Sequence, residues 1–167
     1  MSIKMLVMDV DGTLTDGKIY IGAQGELMKA FSIKDVYGIV QFIRAGKIPV
    51  IITGRQSEIV RMRAMELGIT ELYQGVPDKL KQLKRVAEKY GFTPEEIAYI
   101  GDDLNDLPCM EYCGLTACPS DAVEQVRSMV DYPCNNSGGD GAVREFLDWL
   151  CTENNKDAYP NTEKITV

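Results

Sequence analysis

Two aspartates, Asp9 and Asp11, close an apolar run at residues 3–8 in the stretch MDVDGTLTDG, and Asp102, Asp103 and Asp106 close the run IAYI in YIGDDLND. Carboxylates at the ends of segments with buried character are poorly placed for solubility but well placed for chemistry. They can ligate a hard divalent cation, and an ionised carboxylate is a nucleophile that needs no base to activate it. Thr53 in ITGR and Lys79 in DKL add a hydroxyl and an ammonium suited to holding an oxyanion. The chain contains no histidine. Ser-His-Asp and Cys-His catalysis and the imidazole base are therefore excluded, and zinc is left only scattered cysteines and carboxylates. Carboxylates, Lys, Arg and hydroxyls remain, a set that leans toward Mg²⁺.

Each piece alone has an ordinary explanation. Asp9-x-Asp11-Gly12 fails as an EF-hand loop, because Leu14 and Tyr20 stand where Gly and Glu are required. It still fits a plain turn. Thr53-Gly54-Arg55 fits a loop, Lys79 a solvated helix position, and GDDLNDLP a capped helix start. Their order and placement carry more than any one of them.

The elements that must position these residues alternate along the chain. Short apolar runs at 3–8, 48–53, 71–74, 97–100 and 115–118 have the length and composition of buried strands. Helical spacing covers 35–45, 58–67 (Ser57 as N-cap, Gly68 as stop), 77–90 (ended by Gly91), 105–113, a segment from 121, and 141–151. Residues 12–31 contain IYI and LMKAF around GAQGE, a hairpin pattern. Strands alternating with helices predict an α/β fold, a doubly wound parallel sheet with helices on both faces, whose ligands bind at the carboxyl ends of the strands. Asp9, Asp11, Thr53, Arg55, Lys79, Asp102, Asp103 and Asp106 all converge on that edge.

At 167 residues and 45% hydrophobic, the chain suits one domain, expected over 1–152 with a polar tail at 153–167. The net charge of −7 argues against nucleic acid or an anionic membrane as partner and requires local cations for any anionic substrate. No stretch reaches the length of a membrane span, and five cysteines without a C-x-x-C pair fit reduced thiols of a cytoplasmic protein.

Taken together, DVDGT, the Thr of ITGR, Lys79 and GDDLND resemble the four motifs of the haloacid dehalogenase superfamily of phosphotransferases, in order and over nearly the whole chain. More narrowly, LTDGKIYI, LMKAFSIKDVYGI, LGITELYQG, AYIGDDLNDLP and GGDGAVRE resemble the 3-deoxy-D-manno-octulosonate 8-phosphate (KDO 8-phosphate) phosphatases and relatives acting on nine-carbon sialic-type 9-phosphates. The resemblance implies a Rossmann-like fold and a Mg²⁺-dependent phosphatase working through an aspartyl-phosphate on Asp9. It makes the Asp9 and Asp102 carboxylates and the Asp11 backbone carbonyl the metal ligands, and the Asp11 side chain the acid/base. Thr53 and Lys79 would hold phosphate, while Asp103 and Asp106 would orient Lys79 and the metal's waters. Ser32, Lys34, Asp35, Arg55 and Arg63 match substrate-binding positions in chemical type, and Arg144 marks a candidate lid. Departures at Ser32, Lys34, Val36 and Val40 leave the eight- and nine-carbon substrates both open, and a non-catalytic relative is a third reading. The spacing between motifs leaves no room for a cap domain. The hairpin is expected instead to close sites between subunits of a homotetramer, because IYI and LMKAF would expose apolar residues on a monomer.

Overall fold

The computed structural model describes residues 2–151. Its centre is a parallel sheet in the order β5-β4-β1-β6-β7-β8. The strands are β1 (Met5–Met8), β4 (Ile48–Ile52), β5 (Glu71–Tyr73), β6 (Ile97–Ile100), β7 (Leu115–Cys118) and β8 (Tyr132–Pro133). β1 and β6 are buried at every position, as expected where helices cover both faces.

Successive side chains alternate between two cores. Leu6, Met8, Ile51, Ala98 and Ile100 face α1 (Ile33–Arg44), α2 (Glu58–Leu67) and α6 (Ala142–Trp149) through Ile39, Phe42, Val60, Ala64, Phe146 and Leu147. Met5, Val7, Val50, Ile52, Ile97 and Tyr99 face α3 (Lys79–Tyr90), α4 (Leu107–Tyr112) and α5 (Glu124–Arg127) through Leu83, Val86, Cys109 and Val126. This is the doubly wound arrangement. No cap domain is inserted among the described residues, and none of their helices is long and apolar enough to cross a membrane. The five cysteines are free, with Cys109, Cys118 and Cys134 buried. The expected tail at 153–167 lies outside the described residues.

Register explains the convergence. Met8 pairs with Ile51 of β4 and Ile100 of β6, so the chain leaves the three central strands at one level. Asp9, Thr53 and Asp102 emerge there side by side. Local signals end the helices as expected at Ser57, which caps α2, and at Gly68 and Gly91, which close α2 and α3 with φ of 72° and 66°, a conformation that suits glycine. α3 begins at Lys79, not at 77, because the Asp78 side chain accepts the Lys81 N–H.

Several boundaries differ from expectation. α1 begins at Ile33, not at Asp35, because the Ser32 side chain accepts the Lys34 N–H. The helix expected from 121 is the single turn of α5, since the Asp121 carboxylate accepts from Gly138 N–H instead of opening a helix. The 105–113 helix divides into a 3₁₀ turn, Leu104–Asp106, and α4. β8 had no counterpart among the expected strands. The hairpin at 12–31 contains only β2 (Tyr20–Gly22) and β3 (Gly25–Met28), paired antiparallel apart from the main sheet.

Candidate functional site

A cavity of 170 Å³ opens at the carboxyl edge of the sheet, lined by Asp9, Asp11, Thr53, Gly54, Arg55, Asp102, Asp103 and Asn105. Beneath it lies Lys79, buried at the start of α3. Its Nζ donates to Asp9 Oδ1 at 2.8 Å and Asp106 Oδ1 at 2.7 Å. Burial works against the Lys79 ammonium, but the charges of Asp9 and Asp106 outweigh it and hold its pKa above the ordinary value. Lys79 is therefore a permanent cation in the floor of the site.

Asp106 is engaged by four donors. Oδ1 receives Lys79 and the buried Tyr99 hydroxyl (2.7 Å), and Oδ2 receives the backbone N–H groups of Asp102 and Asp103 at 3.0 and 3.3 Å. This fixes the GDD turn to the Lys79 ammonium, with no metal ligation needed to satisfy Asp106. Gly101 permits the turn, since a Cβ there would meet Asp106 Oδ2 at 2.4 Å.

Asp9, Asp102 and Asp106 each present a carboxylate oxygen within 4.8 Å of the others. With Asp106 engaged, Asp9 and Asp102 have capacity to spare, and the electrostatics call for a cation. Burial, then the Asp106 charge, push Asp9 up to about 6 against the pull of Lys79. Burial, then the charges of Asp9, Asp106 and Asp103, push Asp102 up to about 8. A divalent ion between Asp9 and Asp102 would remove that penalty, so the donor set fits a hard cation. The approach of Asp102 depends on Gly12: φ there is +96°, and a Cβ would sit 2.0 Å from Asp102 Oδ2. Thr13 Oγ1 donates to Asp102 Oδ1 at 3.3 Å.

The loop carrying Asp9 and Asp11 is clamped from behind. Gly139 N–H donates to the Thr13 carbonyl at 3.1 Å, and a Cβ on Gly138 would meet the Gly12 carbonyl at 1.9 Å. The glycines of GGDGAVRE thus let two backbones touch.

Asp11 carries its carboxylate toward other partners. Oδ1 accepts from Lys29 Nζ, and Arg55 Nε stands 3.8 Å from Oδ2. Lys29 was not anticipated from the sequence. The available signal was a lone charge inside the apolar run LMKAF, but its partner lies eighteen residues away. Burial opposes the Lys29 charge, and its bonds to Asp11 and Glu26 outweigh burial and raise its pKa. Tyr99 and Ser57 were likewise not anticipated as site residues.

The remaining candidates stand elsewhere. Ser32 caps α1, and Asp35, buried, accepts the Arg144 N–H at 2.8 Å. Asp35 supplies α6 with the cap that Gly141 lacks, although burial pushes its carboxyl up to about 6. Arg63 pairs with Glu66 at 2.7 Å and lies over the Phe31 ring. Lys34 and Arg144 share a surface recess with Asn136 and Trp149, where Arg144 pairs with Asp148 and stacks over Tyr37. None of these five lines the cavity of Asp9.

Comparison with known proteins agrees with this geometry. The family model of haloacid dehalogenase-like hydrolases matches residues 56–147. The 3-deoxy-D-manno-octulosonate 8-phosphate phosphatase KdsC of Escherichia coli K12 is 45% identical over 149 residues, which span 89% of this chain and 79% of that one. A crystal structure of the Yersinia pestis phosphatase of the same name superposes with a TM-score of 0.87 at 44% identity, covering 89% of this chain and 80% of that one. That of the Moraxella catarrhalis phosphatase, in complex with magnesium, phosphate and KDO, does so with a TM-score of 0.86 at 42% identity, covering 89% and 86%. The motif order, the sheet and these likenesses place the chain in one family: it belongs to the haloacid dehalogenase-like hydrolases.

Proposed function

We propose that this chain is a Mg²⁺-dependent phosphatase that hydrolyses 3-deoxy-D-manno-octulosonate 8-phosphate to KDO and phosphate. The observation that carries this reading is the junction of Asp9, Asp102 and Arg55 around one cavity at the strand ends, with Lys79 bonded to Asp9 beneath it, in a chain whose relatives bear that activity in their names.

The Asp9 and Asp102 carboxylates and the Asp11 backbone carbonyl would hold Mg²⁺, with Asp103 beside them at the rim. Bound there, Mg²⁺ supplies positive charge that lets a carboxylate and a phosphate dianion meet. The Asp9 carboxylate attacks phosphorus, an oxygen–phosphorus bond forms, and the ester oxygen–phosphorus bond breaks. Asp11, as the general acid, gives a proton to the departing sugar oxygen. It then takes a proton from water, whose oxygen attacks the aspartyl-phosphate and releases inorganic phosphate with the Asp9 carboxylate restored. Thr53 and Lys79 hold the phosphate oxygens, and Lys79 balances charge at phosphorus.

A 2-keto acid carries a carboxylate remote from its phosphate, and a guanidinium matches a carboxylate in shape. Arg55, at the mouth of the cavity and half-exposed, is the proposed partner of that carboxylate. Lys34, Arg63 and Arg144 are assigned to the sugar only where a second copy of the chain completes the site, whereas Ser32 and Asp35 are engaged as helix caps. The assembly proposed is a homotetramer of cytoplasmic subunits joined through their hairpins.

A side-by-side assay of eight-carbon and nine-carbon keto acid phosphates tests the substrate. We expect kcat/KM to favour the octulosonate 8-phosphate by at least about tenfold, the scale of one pocket contact. A reversed preference moves the assignment to the nine-carbon acids, and no turnover of either ends the phosphatase reading.

A further inference from the structure

Lys29 reaches the acid/base from outside the main sheet, one residue past β3. The hairpin around it is open to solvent, with Ile21 73% and Leu27 66% exposed, yet the Lys29 side chain is 0% exposed. A buried ammonium needs partners. Lys29 has two, Asp11 Oδ1 and, at 3.0 Å, Glu26 Oε1. Glu26 Oε2 in turn accepts from the Ser57 hydroxyl, and Ser57 Oγ caps α2 by accepting from Val60 N–H at 3.4 Å. The Ser57 N–H is itself held by Gln74 Oε1 at 2.9 Å. One line of ion pairs and hydrogen bonds therefore runs from Asp11 through Lys29 and Glu26 to Ser57, joining the catalytic loop, the hairpin and the start of α2.

An aspartate carboxylate turns about two single bonds and follows the nearest positive charge. In this site a cation between Asp9 and Asp102 would be the competing attraction. Lys29 faces the other way, and its own position is fixed by Glu26 and Ser57.

We propose that Lys29 is a positioning residue for the reaction: braced by Glu26 and Ser57, it holds the Asp11 carboxylate out of the metal cluster and toward the leaving oxygen. Seating of the hairpin then becomes a condition for proton transfer, and the segment acts on the chemistry as well as covering it. This rests on the reading of Asp11 as acid/base, so the test separates the two.

The full-length protein with Mg²⁺ is assayed as Lys29→Met, Lys29→Arg, Glu26→Gln and Asp11→Asn. One substrate is octulosonate 8-phosphate, whose leaving alkoxide needs a proton, and the other is 4-nitrophenyl phosphate, whose leaving phenolate does not. Misplacing a catalytic group by about an ångström costs about 100-fold. Lys29→Met is expected to lower kcat on the sugar phosphate by about that factor with KM changed less than about threefold. On the aryl phosphate its first turnover should keep its rate within about threefold. A slow steady state follows, because Asp11 must still deprotonate water, so rapid quench shows a burst of nitrophenolate. Lys29→Arg should recover most of the loss, and Glu26→Gln should show the same pattern at about tenfold.

Unchanged kcat in Lys29→Met, or equal loss in both first turnovers without a burst, overturns the proposal. If Asp11→Asn loses activity on the sugar phosphate while Lys29→Met does not, only the positioning role fails. A fully active Asp11→Asn removes the acid/base reading and the proposal with it. Circular dichroism verifies folding. Should Lys29→Met not fold, Glu26→Gln decides: equal loss on the two substrates overturns the proposal, and loss confined to proton-requiring steps supports it.

Discussion

At the carboxyl ends of β1, β4 and β6, each functional side chain hangs from backbone covered on both faces by helices, and Asp9, Thr53 and Lys79 are themselves buried. The hairpin of β2 and β3 is built the other way. Its strands are three and four residues long, pair only with each other, and leave Ile21, Leu27 and Met28 largely in solvent. Its described ties to the rest of the chain include Lys29, whose side chain is covered, and the partly exposed Glu26, both polar. The two regions divide the work. The sheet edge fixes charges whose mutual repulsion must be contained, which takes a rigid and dry setting. The hairpin supplies orientation and an apolar face, which tolerate a marginal element provided that something else covers it. Substitutions at the sheet edge should therefore abolish chemistry while sparing the fold, and substitutions on the hairpin's apolar face should spare the chemistry of the reacting centre while altering assembly.

The largest effect is expected at Asp9. Asp9→Asn removes the charge of the proposed nucleophile at nearly constant volume, and loss of a covalent nucleophile costs on the order of 10⁴-fold or more in kcat. Stability should not fall with it. The folded-state pKa of Asp9 is raised from 3.8 to about 6, so the ionised carboxylate is a burden on the fold above pH 6 that is relieved as pH drops toward 4. An uncharged Asn lacks that burden, and the melting temperature at pH 7 should be equal or higher. Phosphate release near the unsubstituted rate would break the covalent mechanism. A melting temperature lowered by many degrees would break the division of labour, by showing that the fold depends on the Asp9–Lys79 pair.

A metal titration sharpens the same side of the comparison. In the metal-free protein Asp102, held up to about 8, carries a proton at pH 7, and a hard cation binds only the carboxylate. Binding must therefore expel that proton. Calorimetry in two buffers of different ionisation enthalpy should find about one proton released per Mg²⁺ at pH 7, with affinity rising toward tenfold per pH unit and levelling above about 8. Affinity independent of pH between 6 and 8 would mean that Asp102 is already ionised, or that it does not ligate.

The legibility of the chain follows the same line. The strand ends were readable because buried parallel strands are uninterrupted apolar runs, and the polar residues that terminate them stand out. The glycine stops at Gly68 and Gly91 were readable because a left-handed residue is a local requirement. β8, only Tyr132 and Pro133, carries no periodicity that a run of two could display. Lys29 was illegible for a different reason: a charge's worth depends on its partner, and Asp11 comes near only in three dimensions. Ser32 and Asp35 show a further limit. Their residue types suit a sugar's hydroxyls, yet in this fold one oxygen caps α1 and the other caps α6. Sequence displays the donor and the acceptor but not the group already bound to them.

The smallest effect on the subunit itself is expected from Ile21→Ser combined with Leu27→Ser. Both side chains are exposed, and truncating an exposed apolar residue changes subunit stability by no more than about 0.5 kcal/mol. The consequence should lie in assembly. A two-stranded ribbon with an apolar face is marginal alone, and packing against other copies would bury that face and hold the ribbon still. Light scattering coupled to size exclusion should find four chains in the unsubstituted protein and fewer in the double variant, with melting temperature depending on concentration in the former. The reacting centre keeps all its own residues in either form. Turnover of a small aryl phosphate should then survive dissociation better than turnover of the sugar acid phosphate, whose sugar contacts are proposed to need a second copy of the chain. A variant that stays tetrameric would move the interface off the hairpin. A monomeric unsubstituted protein with full activity on the sugar acid would show that the hairpin closes nothing but its own site.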